Sequence, residues 1–181
     1  QVRDAQGRGA QDCEAQSRHP PYCQVKLSVL AVGHRMPAWV TAGFEEYARR
    51  MPREMPLQLR ELKPAQRSSA AGDVTRWLQT EAGHINAAVP AGALRVVLDE
   101  HGRTFPTRVL AEHLERWRGE GRDVAFIIGG ADGLAPEIKK EAGLLWSLSP
   151  LTLPHGLVRV VLAEQLYRAA SMLAGHPYHR E

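Results

Sequence analysis

From Val25 onward, short apolar runs alternate with longer segments whose apolar residues recur three and four positions apart. Lys26-Leu-Ser-Val-Leu-Ala-Val32, ended by Gly33, predicts a strand, and Pro37 to Met51 carries Trp39, Val40, Phe44, Tyr47 and Ala48 at helical spacing before Pro52. Pro56 to Lys63 alternates Leu57, Leu59 and Leu62 with polar residues, as a half-buried strand does. Ser68 to Val89 predicts a second helix with Val74, Trp77, Leu78 and Ile85 on one side, closed by Pro90-Ala-Gly92. Leu94 to Leu98 is a third strand. Asp99 to Pro106 predicts a loop, leading into a helix capped by Thr107 and ending at Gly119 or Gly121. Val124-Ala-Phe-Ile-Ile128 is apolar throughout, as a strand buried on both faces must be. After Gly129-Gly-Ala-Asp-Gly-Leu134, Pro136 opens a short helix, Leu144 to Leu148 forms a strand, and Leu157 to Gly175 forms the final helix. This alternation predicts an α/β fold, a mostly parallel sheet flanked by helices, without internal repeats.

Residues 1–24 break the pattern. They hold five glutamines, three arginines against three acids and, of Val, Ile, Leu, Met, Phe and Trp, only Val2. Such a segment buries too little apolar surface to offset the entropy of ordering it, so it reads as a disordered or non-native extension outside a single domain spanning 25–181. It also lacks the apolar core of a secretory signal, which makes the cytoplasm the expected location. A length of 181 residues suits one domain. The longest stretch without Asp, Glu, Lys or Arg, Ala142 to Val158, is too short and too polar to span a membrane. The 23 basic against 20 acidic residues leave a net charge of +3, compatible with a local basic face and incompatible with a histone-like tail. Two cysteines, Cys13 and Cys23, make neither a disulfide framework nor a zinc site.

Three stretches carry candidate chemistry. Gly129-Gly130-x-x-Gly133 lies between a buried strand and a helix, where open α/β sheets bind ligands, though the same turn serves equally as a tight connection. A nicotinamide site there lacks the G-x-G-x-x-G pattern and its acidic ribose partner. Leu148-Ser-Pro-Leu-Thr-Leu-Pro-His155 is a stiff apolar loop that either pairs its backbone with an adenine edge or packs into the core. His176-Pro-Tyr-His-Arg-Glu181 concentrates an imidazole, a phenol and a guanidinium, although composition alone favours a solvated tail. His155, His176 and His179 have no acid or thiolate placed beside them and make a poor metal set. Arginines at 49, 50 and 53, at 60 and 67, at 116, 118 and 122, and at 159, 168 and 180 are either wet faces or a phosphate-tracking surface.

Six segments together resemble the RlmH family of SPOUT-superfamily methyltransferases. They are Val25-Lys-Leu-Ser-Val-Leu-Ala-Val-Gly-His-Arg-Met-Pro37, Glu115-Arg-Trp-Arg-Gly-Glu-Gly-Arg-Asp-Val124, Ile128-Gly-Gly-Ala-Asp-Gly-Leu134, Trp146-Ser-Leu-Ser-Pro-Leu-Thr-Leu-Pro-His155, Glu164-Gln-Leu-Tyr-Arg-Ala169 and His176-Pro-Tyr-His-Arg-Glu181. The resemblance runs from Val25 to the last residue, is loose between Pro64 and Gly92, and leaves out the first 24 residues.

It implies a SPOUT fold whose part from about residue 94 to 181 forms a deep trefoil knot, an exception to the rule against knots. It further implies a homodimer that transfers a methyl group from S-adenosylmethionine, with no metal, to N3 of a pseudouridine in bacterial 23S ribosomal RNA, on the large subunit or the whole 70S ribosome. By motif match the donor contacts fall on Leu98, Gly130, Ser149, Pro150, Leu151, Thr152, Leu153 and Pro154. Catalysis falls on Tyr178, His179 and Arg180, with Glu164 as an alternative base or orienter. An RNA-binding SPOUT protein without catalysis is the rival expectation, and donor binding separates the two.

Overall fold

A computed structural model describes residues 24–67 and 74–179, with only the backbone of His179. The N-terminal extension up to Cys23, the start of the second predicted helix, Arg180 and Glu181 lie outside the described residues. The elements in chain order are β1 (Leu27–Val32), α1 (Ala38–Ala48), β2 (Leu57–Leu62), α2 (Val74–Ala88), β3 (Leu94–Arg103), α3 (Thr107–Gly119), β4 (Val124–Ile128), α4 (Pro136–Lys140), β5 (Leu144–Trp146) and α5 (His155–Leu173), followed by a 3₁₀ turn at Pro177–His179. They build one sheet in the order β2-β1-β4-β3-β5, and every strand pair is parallel.

Strand periodicity sorts the core into two layers. Val29, Ala31, Phe126, Ile128 and Val96 face α1, α3 and α5, meeting Phe44, Leu110, Trp117, Leu162 and Leu166. Their neighbours Leu30, Val32, Ala125, Ile127 and Val97 point to the opposite face, against Ala82 and Ile85 of α2 and Ile138 of α4. β4 lies between β1 and β3 and is buried at every position, the cause of its unbroken apolar sequence.

Several boundaries differ from the sequence expectation, β5 stopping at Trp146 rather than Leu148 and α5 at Leu173 rather than Gly175. β3 does not stop at Leu98; it continues through a register irregularity to Arg103, so that both Leu98 and Arg103 pair with Trp146. The charged Asp99-Glu100-His101 stretch hides this, and Gly102 permits it, since a Cβ there would lie 2.6 Å from the Trp146 carbonyl carbon. Thr107 does not cap α3. It is the first helical residue, after Pro106, and its hydroxyl donates instead to Gln165 Oε1 at 2.7 Å, tying α3 to α5. α5 begins at His155, two residues early, because Pro154 sets the extended entry and its carbonyl accepts from Val158 N at 3.0 Å.

Candidate functional site

The carboxyl ends of β3, β4 and β5 open into one cavity of about 340 Å³, within the size range of small-molecule sites. Its walls come from Leu98 and the acids after it, from Ile128 to Gly130, from Trp146 to Leu148, from the loop that follows, and from His155 at the start of α5. That loop is pinned from within: Ser147 Oγ donates to the Ser149 carbonyl at 2.9 Å, and Leu151 N donates to Ser149 Oγ at 3.0 Å. This turn holds Leu151 at the rim, 73% exposed.

The glycines are demanded by the protein's own packing. A Cβ on Gly129 would sit 2.6 Å from the Gly133 carbonyl oxygen, and one on Gly130 would sit 2.7 Å from Glu81 Oε2. Gly133, at φ 83°, closes the turn with its N–H donating to the Gly130 carbonyl at 3.1 Å.

Among the described residues the cavity is lined by two carboxylates, Asp99 and Glu100, and by no lysine or arginine. Burial would raise the Asp99 pKa, but the hydrogen bond and charge of Lys139, at 2.6 Å, and the His101 amide hold it below its ordinary value. Burial lowers the His155 pKa, helped by the nearby Arg159 charge, so its imidazole is neutral at neutral pH. Such a lining repels a pyrophosphate, which removes the nicotinamide reading. It suits a cationic or hydroxyl-bearing ligand.

Of the residues singled out by sequence, Leu98, Gly130, Ser149, Leu151, Thr152, Leu153 and Pro154 come together around this cavity, while Pro150 is not part of its lining. The glycine turn and the proline-rich loop are therefore two walls of one site.

The C-terminal group lies elsewhere. Tyr178 docks on α5, with its ring centroid 4.7 Å from that of Tyr167 and its hydroxyl donating to Glu164 Oε1 at 3.3 Å. Glu164 is further held by Arg168 at 2.8 Å and by Gln165 Nε2 at 2.6 Å. Burial, a hydrogen bond with Tyr47 and the Glu164 charge push the Tyr178 phenol up to about 12, so it stays protonated. Through Tyr178 the end of the chain is docked rather than wholly solvated, as composition suggested. The His179 side chain and Arg180 lie outside the described residues. The cavity meets the first turn of α5 at His155 and Val158, whereas the Tyr178 hydroxyl reaches Glu164 at mid-helix, about 14 Å along the axis from His155, and Tyr178 is not part of the cavity lining. His155 and His176 are separated by the same helix and cannot share a metal ion.

The basic clusters are largely engaged in the fold. Arg159 is fully buried, donating to Glu61 Oε1 at 2.6 Å and to the Gly33 carbonyl at 2.9 Å. Arg49 and Arg50 pair with Glu46, and Arg67 pairs with Asp132. Glu81 and Asp99 were not singled out as site residues by sequence, and His155 was weighed only as the end of the proline-rich loop and in the metal set. A signal for Glu81 existed: it falls between Leu78 and Ile85 on the apolar stripe of α2, where an acid is out of place.

A parallel α/β sheet with a carboxylate-lined, ligand-sized cavity at its carboxyl edge defines a small-molecule-binding enzyme fold of the open-sheet class. The family model described as "Predicted SPOUT methyltransferase" matches residues 25–179. The ribosomal RNA large subunit methyltransferase H of Burkholderia multivorans is 55% identical over 156 residues, covering 86% of this chain and 99% of that protein. The protein of the same name from Thiobacillus denitrificans is 56% identical over 157 residues, covering 87% and 100%. A solved structure, described as a probable methylase family protein from Haemophilus influenzae Rd KW20, superposes with a TM-score of 0.54 at 13% identity, covering 88% of this chain and 71% of that one, a likeness of fold. The chain belongs to the SPOUT methyltransferase family and, within it, to the ribosomal RNA large subunit methyltransferase H proteins.

Proposed function

We propose that this chain methylates large-subunit ribosomal RNA, transferring a methyl group from S-adenosylmethionine to N3 of a pseudouridine. The observation that carries the donor half is the cavity: its leucines offer apolar faces for an adenine ring, Asp99 and Glu100 suit ribose hydroxyls and positive charge, and no lysine or arginine among the described residues lines it. That the acceptor is large-subunit ribosomal RNA rests on the names of relatives that match at 55–56% identity over nearly their whole length, and the pseudouridine N3 on what the family resemblance implies. Leu98, Gly130 and the Ser149–Pro154 loop hold the donor, the loop through its backbone groups. When bound, S-adenosylmethionine supplies an electrophilic methyl on a sulfonium whose sulfur keeps the bonding electron pair.

The acceptor must lose its N3 proton as the new bond forms. His179, an imidazole suited by chemistry to proton transfer near neutral pH, takes that proton, and Arg180 pairs with the imide oxygens or grips a phosphate as negative charge develops. Tyr178, kept protonated and oriented by Glu164, donates to or stacks on the base. Because Tyr178 docks on the middle of α5 and does not line the cavity of its own chain, a homodimer in which each terminus completes its neighbour's site brings the two together. The trefoil knot implied by the family resemblance belongs to the same proposal, as do a single domain over 25–181 and a cytoplasmic location. Among the described residues no helix is long and apolar enough to cross a membrane.

The modest net charge favours an assembled target over naked RNA. A tritiated-methyl assay on naked ribosomal RNA, large subunits and whole ribosomes tests this, with label expected on one or both particles. Equal labelling of naked RNA rejects the assembled target, and no labelling of any substrate rejects the activity.

A further inference from the structure

Glu81 is 4% exposed and sits on α2, behind the cavity rather than in its lining. Its Oε1 accepts from Ala65 N at 3.0 Å. Its Oε2 lies 2.7 Å from where a Cβ would stand on Gly130, which puts it within about 4 Å of the Gly130 Cα, one bond further back. Gly130 lines the cavity, and so does His155, which feels the Glu81 charge. No cation among the described residues forms an ion pair with Glu81. The nearby buried cation, Arg159, is neutralised by Glu61 at 2.6 Å.

A buried carboxylate is costly, and its bond to Ala65 does not require the charge, since the carbonyl of a glutamine would accept from that N–H as well. What the charge does is set the potential behind one wall of the cavity. From within a protein wall, where the dielectric is lower than in water, such a field reaches across several ångströms.

We infer that Glu81 makes the pocket select for positive charge, favouring the sulfonium donor over the neutral thioether left after transfer. This rests on the proposed S-adenosylmethionine site and adds a specificity residue to it. Methyl transfer removes one positive charge from the ligand, so the same field that helps the donor bind weakens the hold on the spent product. Product release is thereby built into the pocket's electrostatics.

Calorimetric binding of S-adenosylmethionine, S-adenosylhomocysteine and sinefungin, whose amine carries the charge at the sulfonium position, tests this on wild type, Glu81→Gln and Glu81→Asp. Glu81→Gln should cut the preference for S-adenosylmethionine over S-adenosylhomocysteine about tenfold, with sinefungin following the charged donor. Glu81→Asp keeps the charge and should keep the preference within about twofold, although both affinities fall as the Ala65 bond opens. A structural role predicts the reverse, since the isosteric glutamine would be tolerated better than the shorter aspartate. Equal weakening of all three ligands by Glu81→Gln, or no change, overturns the inference and leaves the donor site standing. Failure of the wild type to bind any of the three overturns both. Should Glu81→Gln not fold, Glu81→Asp decides: a collapsed preference refutes the inference.

Discussion

Arg159 donates from a fully buried guanidinium to the carbonyl oxygen of Gly33, 2.9 Å away, and so fastens the first turns of α5 to the end of β1. A second bond, to Glu61 Oε1, fastens β2 to the same point. Gly33 has φ 115°, a conformation other residues avoid, and its own N–H donates to the Leu62 carbonyl at 2.9 Å. Arg159→Ala leaves a void and an unpaired carbonyl, and should cost about 3 kcal/mol. Arg159→Lys, with one donor centre in place of a fork, should recover less than half of that. Urea unfolding at constant m-value measures both; a loss below about 1 kcal/mol for Arg159→Ala would mean that Glu61 and Gly33 are hydrated as well without it.

The approach of Glu81 to Gly130 gives a sharper test of the cavity wall. Gly130→Ala forces a methyl to within 2.7 Å of a buried carboxylate oxygen, with Val32 Cγ1 at 3.2 Å on the other side. Overpacking of this kind costs roughly 1–3 kcal/mol. Donor affinity should fall with it, because the displaced backbone is part of the lining. Unchanged affinity, measured by calorimetry, would show that the ligand does not contact this turn.

Asp99 ties stability to pH. Its folded-state pKa is lowered, so its contribution is fully present above the unfolded value of ~3.9 and is lost as pH falls through the folded one. Asp99→Asn should therefore be less stable than wild type at pH 7 by roughly 1–2 kcal/mol, the scale of one charge-assisted hydrogen bond. The two unfolding curves should converge as pH falls through the lowered folded-state pKa. A constant gap between them from pH 7 to pH 2 would assign the loss to packing instead of to the Lys139 pair.

Much of the sheet was legible because strand periodicity is a local property. The apolar Val124–Ile128 run announced a central strand, and alternation at Leu57, Leu59 and Leu62 announced the edge. Legibility ended where partners distant in sequence decide. Asp99 to Arg103 looks like a polar loop until Trp146 pairs with its far end, and Thr107 looks like a cap until Gln165 is beside it. The two walls of the cavity were each visible as weak motifs, the glycine turn and the proline-rich loop, but nothing local shows that Ser149 faces Gly130 across one space. Glu81 was out of place on the apolar stripe of α2, but only the approach of Gly130 shows what it lies against.

The family match begins at Val25, and the first residue whose contacts are described beyond it is Gln24, whose side chain donates to the Arg53 carbonyl at 3.1 Å. Deleting residues 1–23 should therefore shift the melting temperature by less than about 2 °C and leave donor affinity unchanged, since the removed segment carries no apolar pattern. Differential scanning calorimetry decides; a fall of several degrees would give the extension a role in the fold.

The C-terminus carries the most consequential expectation. Tyr178 is fixed by Glu164, Arg168 and Tyr167, all on its own α5, and it is not part of the cavity lining of its own chain. If the terminus works on the acceptor base in a neighbouring protomer's site, donor binding and methyl transfer should separate cleanly on truncation. Removing Pro177 to Glu181 takes away the phenol, the imidazole and the guanidinium, yet leaves every residue of the cavity lining in place. The truncated protein should remain dimeric and bind S-adenosylmethionine within about threefold of wild type, while methyl transfer falls by at least ~10³, as expected when groups acting together in the transition state are lost. His179→Ala alone should remove a large part of that rate, and its residual activity should lose the limb of the pH profile near ~6.5. Near wild-type transfer by the truncated enzyme would move the search for the proton acceptor to His155, the neutral imidazole that already lines the cavity.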